Sequence, residues 1–297
     1  MHASSMCISC LLSKQEKLIR PFGDEAKKSR YLHQVLEILY HHGQTRSAPW
    51  LAAQIDLLYK DFWGGTEDYT PQKHKYNQLL LGLEGEIEQA IRSSDDPVKE
   101  CMKYVCAANY IDFSAVENVN EDTLKKLLAK APYETISPQE YAAFQSDLRK
   151  ADTLAYVTDN CGEIVLDKLF IKCLKESFPR LQITVILRGE DVINDATLTD
   201  AQEVGLTNLV TCIGNGSSAP GTVLEELSPC AKQILLNADL VISKGQGNFE
   251  SLYGEGLNPY YLFLCKCELF VRRFGLNQFE AVFKKEERID MKHAFTS

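Results

Sequence analysis

Thr153-Leu154-Ala155-Tyr156-Val157-Thr158-Asp159-Asn160-Cys161-Gly162-Glu163 decides the fold of this 297-residue chain. Its first six residues are a short, β-prone apolar run, and the polar turn behind them gives way to a helical pattern over residues 163–178. Strand, tight turn and helix in that order open a βαβ unit. The cycle repeats downstream, with apolar runs at 182–187, 208–213, 239–243 and 260–265. A helical pattern over 221–238, carried by Val223, Leu224, Leu227 and Leu235, precedes the fourth run. Strands recurring every ~25–30 residues with helices between them indicate a parallel sheet covered on both faces. Residues 151–297 therefore read as a doubly wound α/β domain.

Upstream of that stretch the period changes to that of helices. Tyr31, Leu32, Val35, Leu36, Ile38 and Leu39 recur at helical spacing, as do Leu51, Ile55 and Leu58. A further helix covers 79–91 despite Gly82 and Gly85, and Asp96-Pro97 opens another that carries Val98, Met102, Val105 and Cys106. Ser137-Pro138-Gln139-Glu140 has capping-box spacing and starts a helix ending near Arg149-Lys150. Trp63-Gly64-Gly65 reads as a loop. Residues 1–150 are thus predicted to be a helical region lying over the functional edge of the sheet.

Composition narrows the partners. Against 41 Asp and Glu stand 32 Lys and Arg, a net charge of -9. Such a surface repels nucleic-acid phosphates and anionic lipid, so neither is an expected partner. No secretory signal is evident, and the apolar run at 260–265 is too short to span a bilayer. Ten cysteines in a chain of this length do not make a disulfide scaffold, and Cys173, Cys212 and Cys230 sit in apolar segments as small core residues. A reducing, cytoplasmic setting is the expectation.

Ligands of open parallel sheets bind beyond the carboxyl ends of the strands. Those ends carry Asp159-Asn160, Arg188-Gly189, Gly214-Asn215-Gly216 and Lys244-Gly245-Gln246-Gly247-Asn248, with Asp195 shortly after the second strand. Taken singly, Gly214-Asn215-Gly216 is ordinary loop material and Asp159 is a candidate cap for the helix near Glu163. Four such ends together point to a site. Every histidine lies at or before His74 except His293, so the α/β half offers no imidazole base in its loops. Asp and Asn oxygens suit a hard cation such as Mg²⁺ or Mn²⁺. Lys244 is suited to a phosphate, and the N–H groups of Gly245 and Gly247 to its oxygens. No G-x-x-x-x-G-K-[ST] loop occurs, and no G-x-G-x-x-G follows the first strand.

Three ordered motifs resemble the damage-control phosphatases, long catalogued as a domain of unknown function. They are Asp159-Asn160-Cys161-Gly162-Glu163, then Arg188-Gly189 with Asn194-Asp195-Ala196-Thr197, then Lys244-Gly245-Gln246-Gly247-Asn248-Phe249-Glu250. Cys7-Ile8-Ser9-Cys10 resembles the mark of the CxxC-bearing, mostly prokaryotic branch, and the Arg-Thr-x-Lys signature of the carboxyl-methyltransferase-like branch is absent. The resemblance implies a three-layer, Rossmann-like α/β core with an added helical region. It also implies a metal-dependent phosphatase of small phosphorylated metabolites, sugar phosphates or damaged and surplus ones, using Mg²⁺, Mn²⁺, Co²⁺ or Ni²⁺. By matching positions, Asp159, Asn160 and Asp195 would hold the metal, and Asp159, Asp195 and Lys244 would act on the substrate. Arg188, Gly245, Gly247, Asn248, Glu250, Asn109 and Asp112 would border the substrate or its phosphate. Glu190-Asp191 stands where the family often has proline, which would alter substrate choice.

Two other functions share this edge of a sheet. An S-adenosylmethionine-dependent methyltransferase would want a glycine-rich first loop and an acid ending the second strand, where the chain has Asp159-Asn160 and Arg188. A non-catalytic phosphometabolite-binding protein would use the same pocket without turnover. Cys7 and Cys10 have the spacing of half a zinc site or a redox pair, with His2, Cys101, Cys106, Cys265 and Cys267 as distant candidates to complete it. Lys266 either faces the pocket or is a solvated charge.

Overall fold

The computed structural model describes residues 1–65, 67–116 and 119–290, and His293 lies outside them. Among the described residues, seven α-helices come first: α1 (Ser5–Ile19), α2 (Glu25–His42), α3 (Ala48–Trp63), α4 (Thr70–Arg92), α5 (Pro97–Ala108), α6 (Glu121–Lys130) and α7 (Pro138–Lys150). Strands and helices then alternate: β1 (Thr153–Val157), α8 (Glu163–Ser177), β2 (Gln182–Leu187), α9 (Leu198–Glu203), β3 (Thr211–Gly214), α10 (Pro229–Asn237), β4 (Leu240–Lys244), α11 (Gln246–Leu252), β5 (Tyr260–Leu264), α12 (Glu268–Phe274) and β6 (Ala281–Lys285).

The six strands form one sheet in the order β3-β2-β1-β4-β5-β6. All pairings are parallel except that of β6 with β5. Because successive strand residues point to opposite faces, β1 feeds two cores. Leu154 and Tyr156 join a cluster built with α4 to α8, and Ala155 and Val157 join one with α10, α11 and α12. The expected three-layer α/β architecture is therefore present. A separate apolar cluster, with Tyr31, Val35, Leu39, Leu51 and Ile55, knits α2 and α3 to α1.

Local chemistry sets the helix ends. Asp96 caps α5 by accepting from Lys99 N at 3.0 Å, with Pro97 in the first turn. Ser137 accepts from Glu140 N at 3.4 Å, but the Glu140 carboxylate turns to Arg288, so only half of the expected capping box forms. Thr197 and Asp200 make the complete box instead.

Other expectations shift. Gly82 and Gly85 do not interrupt α4, whose tertiary packing outweighs their low helix propensity. The helix expected over 221–238 starts only at Pro229, after the Ser228 cap, and Val223 and Leu224 lie in the loop before it. Strand β3 begins at Thr211 because a 3₁₀ turn takes Leu206–Asn208. The sequence reading did not anticipate α1, α6, α9, α11, α12 or β6. No described helix is long and apolar enough to cross a membrane.

Candidate active site

The strand order makes β1 the switch point, with β2 on one side and β4 on the other. A crevice opens beyond such a point. Past Val157 the chain keeps pairing: Ala196 N donates to Asp159 O at 2.8 Å, and Cys161 N to Asn194 O at 2.8 Å. Asn160 and Asp195 form an isolated antiparallel bridge. Backbone hydrogen bonds thereby bring Asp159, Asn160 and Asp195 together. Asp159 does not cap α8, whose N-cap is Gly162 at φ 69° with no side-chain cap.

Each of these three side chains is held by one end. Asp159 Oδ2 accepts from Asn160 Nδ2 at 2.7 Å and Asn109 Nδ2 at 2.9 Å, and Lys266 Nζ lies 3.9 Å away. Asp195 Oδ2 accepts from Arg188 Nε. Among the described residues, nothing donates to Asp159 Oδ1, Asn160 Oδ1 or Asp195 Oδ1. Three oxygens left without donors are the donor set a hard cation takes. Two carboxylates and an amide make it up, and among the described residues no three His, Cys, Asp or Glu side chains form a metal cluster of their own.

Charge counting agrees with the geometry. Asp112, Asp159, Glu163, Asp167 and Asp195 are five buried carboxyls, facing three buried cations, Arg188, Lys244 and Lys266. With all eight groups ionised, the excess of two negative charges would equal one divalent ion. Burial, opposed by Lys266 and reinforced by Glu163, Asp195 and Asp112, pushes the Asp159 carboxyl up to about 8. Burial also raises Asp195, outweighing Arg188. Gly245 is required beneath this group, since a Cβ there would lie 2.0 Å from Asp159 Oδ2.

The remaining predicted residues divide. Asn109, at the C-cap of α5, donates to Asp159 and to Glu163, and its own oxygen accepts from Leu264 N at 3.0 Å. Asp112 accepts from Lys266 Nζ at 2.7 Å and from Ser114 and Ala115 N–H, and these contacts overcome burial to hold it below the usual carboxylate range. Asn248 Oδ1 accepts from Arg188 at 3.0 Å and from Thr222 at 2.8 Å. All three Arg188 nitrogens donate to protein, to Asp195, Thr222 and Asn248, so it anchors Asp195 from below.

Five expectations need correction, the first being Asn248, which does not border the substrate: its fully buried amide donates to Thr158 O and Lys244 O and accepts from Arg188 and Thr222. Lys244 is not presented to the crevice: it shares the sheet face of Leu240 and Ile242, and its ammonium lies fully buried between Glu163 Oε1 and, at 2.8 Å, Asp167 Oδ1. Burial works to discharge it, but Asp167 and Glu163 outweigh that and hold it above the usual lysine range. The Gly245 N–H is already spent on Leu262 O at 3.2 Å. Gly247 serves packing, because a Cβ there would meet Pro220 O at 2.3 Å. Glu250 turns towards α1, where its Oε1 lies 3.8 Å from Cys7 Sγ.

Lys266 is the cation that faces the site, buried just past the end of β5. Its place was one of two readings left open by the sequence, and the apolar run before it was the signal for burial. The partners Glu163 and Asp167 were missed, although their i, i+4 spacing at the start of a helix puts both on one face. Over the second strand's loop, Asp191 pairs with Lys73 of α4 at 2.7 Å, and Lys73 also reaches Asp200 at 2.8 Å. Cys10 is exposed and all ten cysteines are free thiols.

Comparison with known proteins gives a consistent result. Residues 3–282 match the family model described as the damage-control phosphatase ARMT1-like domain. A damage-control phosphatase of Archaeoglobus fulgidus is 28% identical over 294 residues, covering 97% of this chain and 100% of that protein. Another from Pyrococcus horikoshii is 24% identical over 275 residues, covering 90% of this chain and 92% of that one. The crystal structure of a DUF89 family protein from Pyrococcus horikoshii superposes with a TM-score of 0.80 at 21% identity, over 96% of this chain and 99% of the other. That likeness establishes the shared fold.

Proposed function

The chain belongs to the damage-control phosphatase ARMT1-like family, and from that premise we propose that it is a metal-dependent phosphomonoesterase of the cytoplasm. Its proposed substrates are small phosphorylated metabolites, either sugar phosphates or damaged and surplus phosphometabolites. The observation that carries the reading is the trio of donor-free oxygens on Asp159, Asn160 and Asp195 beside the buried Lys266.

Those oxygens would hold Mg²⁺, Mn²⁺, Co²⁺ or Ni²⁺. Such an ion neutralises a phosphoryl group and polarises it for attack. Arg188, braced by Thr222 and Asn248, fixes the Asp195 carboxylate. Lys266 supplies a compact positive charge for the phosphate oxygens, and Asp112 holds that ammonium in place. Asp159 is assigned the direct role, as nucleophile or as base for water. Gly245 leaves the room that its carboxylate occupies.

A phosphate-release screen across phosphorylated sugars and cofactors, run with each of the four metals, tests this reading. Release should stop after exhaustive chelation and return with added metal. Full activity after verified metal removal would overturn metal dependence. Ligand binding without release, with every metal, would favour a binding protein over an enzyme.

A further inference from the structure

Behind the three donor-free oxygens lies a closed polar arrangement that explains how one of them is aimed. Two side-chain amides are sandwiched between two carboxylates. Asn109 Nδ2 donates to Asp159 Oδ2 at 2.9 Å and to Glu163 Oε2 at 2.9 Å. Asn160 Nδ2 donates to Asp159 Oδ2 at 2.7 Å and to Glu163 Oε2 at 3.2 Å. Glu163 is itself fully buried, and Lys244 grips its other oxygen.

Ionised carboxylates accept only, so in the metal-loaded protein an amide wedged between two of them must turn its NH₂ inward. For Asn109 the orientation is fixed a second time, because its oxygen accepts from Leu264 N. Asn160 has no such second tie. If it flipped, its oxygen would face Asp159 Oδ2 and Glu163 Oε2, with no donor between them. Accordingly its Oδ1 is the amide atom turned away from both carboxylates, and among the described residues nothing donates to it.

We infer that Glu163, kept in place by Lys244, is a positioning residue that sets the Asn160 amide with its oxygen toward the metal. The inference rests on the metal-dependent reading above. Neither residue touches substrate. Lys244 acts on the site only through Glu163, and Asp167 shares its charge from the other side.

Calorimetric titration of the chelated protein with Mn²⁺ tests this without recourse to turnover. Glu163→Gln leaves Lys244 paired with Asp167, but it places an NH₂ group among the amide donors or against the ammonium. Mn²⁺ binding should weaken about 10–100-fold, the range for losing a group that orients a ligand. Asn160→Ala removes the amide that is to be oriented, so Glu163→Gln should cost at least tenfold less Mn²⁺ affinity in that background than alone, a coupling that loss of the Glu163 charge by itself would not give.

Equal costs of Glu163→Gln with and without Asn160→Ala, or wild-type affinity in Glu163→Gln, would overturn the positioning role and leave the metal reading intact. Should Glu163→Gln not fold, Glu163→Asp keeps the charge but withdraws it by one methylene. It must still weaken Mn²⁺ binding, and wild-type affinity there would overturn the inference. A wild-type protein that binds none of Mn²⁺, Mg²⁺, Co²⁺ and Ni²⁺ would sink both this inference and the reading beneath it, and where Mn²⁺ alone fails the titrations are run with the ion that binds.

Discussion

Lys244 and Lys266 stand at the ends of neighbouring parallel strands, both fully buried, yet they inhabit opposite kinds of polar environment. Around Lys244 the network is sealed from solvent: Glu163, Asp167, Tyr156, Asn109 and Asn160 exchange hydrogen bonds, and Asp167 Oδ2 is a buried oxygen left without a donor among the described residues. Around Lys266 it is open, because Asp159, Asn160 and Asp195 each keep one oxygen without a donor. Burying a polar group is tolerable once its partners are supplied. A sealed network therefore reads as scaffold, and an open one as a place prepared for something that binds.

The largest expected effect falls on the open side. Lys266→Met should lower kcat for phosphate release by about 10²–10³, as for loss of a preorganised charge at a reacting centre. A variant with wild-type kcat and KM would remove Lys266 from the site and make the two lysines alike.

Stability should show the reverse order. Lys244→Met leaves Glu163 and Asp167 buried without their cation, a loss of about 3–5 kcal/mol for breaking a buried pair. Urea unfolding of the chelated protein measures it directly. A loss below about 1 kcal/mol, within the ordinary range of point substitutions, would show that the network around Lys244 does not brace the fold.

The two regions were unequally legible in the sequence. Strand ends and their polar residues could be read because period and turn chemistry are local. That is enough to gather Asp159, Asn160, Arg188 and Asp195 from the sequence alone. Which lysine faces the crevice is a question of side-chain parity. Lys244 continues the alternation of Leu240 and Ile242 into the core under α8, and a one-residue difference in strand end decides it. Expected to end before Lys244, β4 in fact includes it. Glu250 failed for a similar reason, since its face of α11 meets α1, a helix the sequence reading did not anticipate. Antiparallel β6 was missed because its five residues add only an edge.

The melting temperature of the chelated protein, with and without Mn²⁺, in wild type and Asp159→Asn, tests the central claim most directly. With its carboxyl raised to about 8 in the fold, Asp159 holds a proton that the unfolded chain has already released. The native state then binds more protons than the unfolded one, so stability falls as pH rises from about 4 towards 8. Chelated wild type should accordingly melt lower at about pH 8 than at about pH 5.5, and Mn²⁺ should restore the loss by binding the native state. Asp159→Asn should reduce the pH dependence to the part owed to Glu250 and Asp167, which burial raises to about 7 and about 6, and forfeit most of the gain from Mn²⁺. A wild-type protein that Mn²⁺ does not stabilise, or a variant stabilised as much as wild type, would contradict the account.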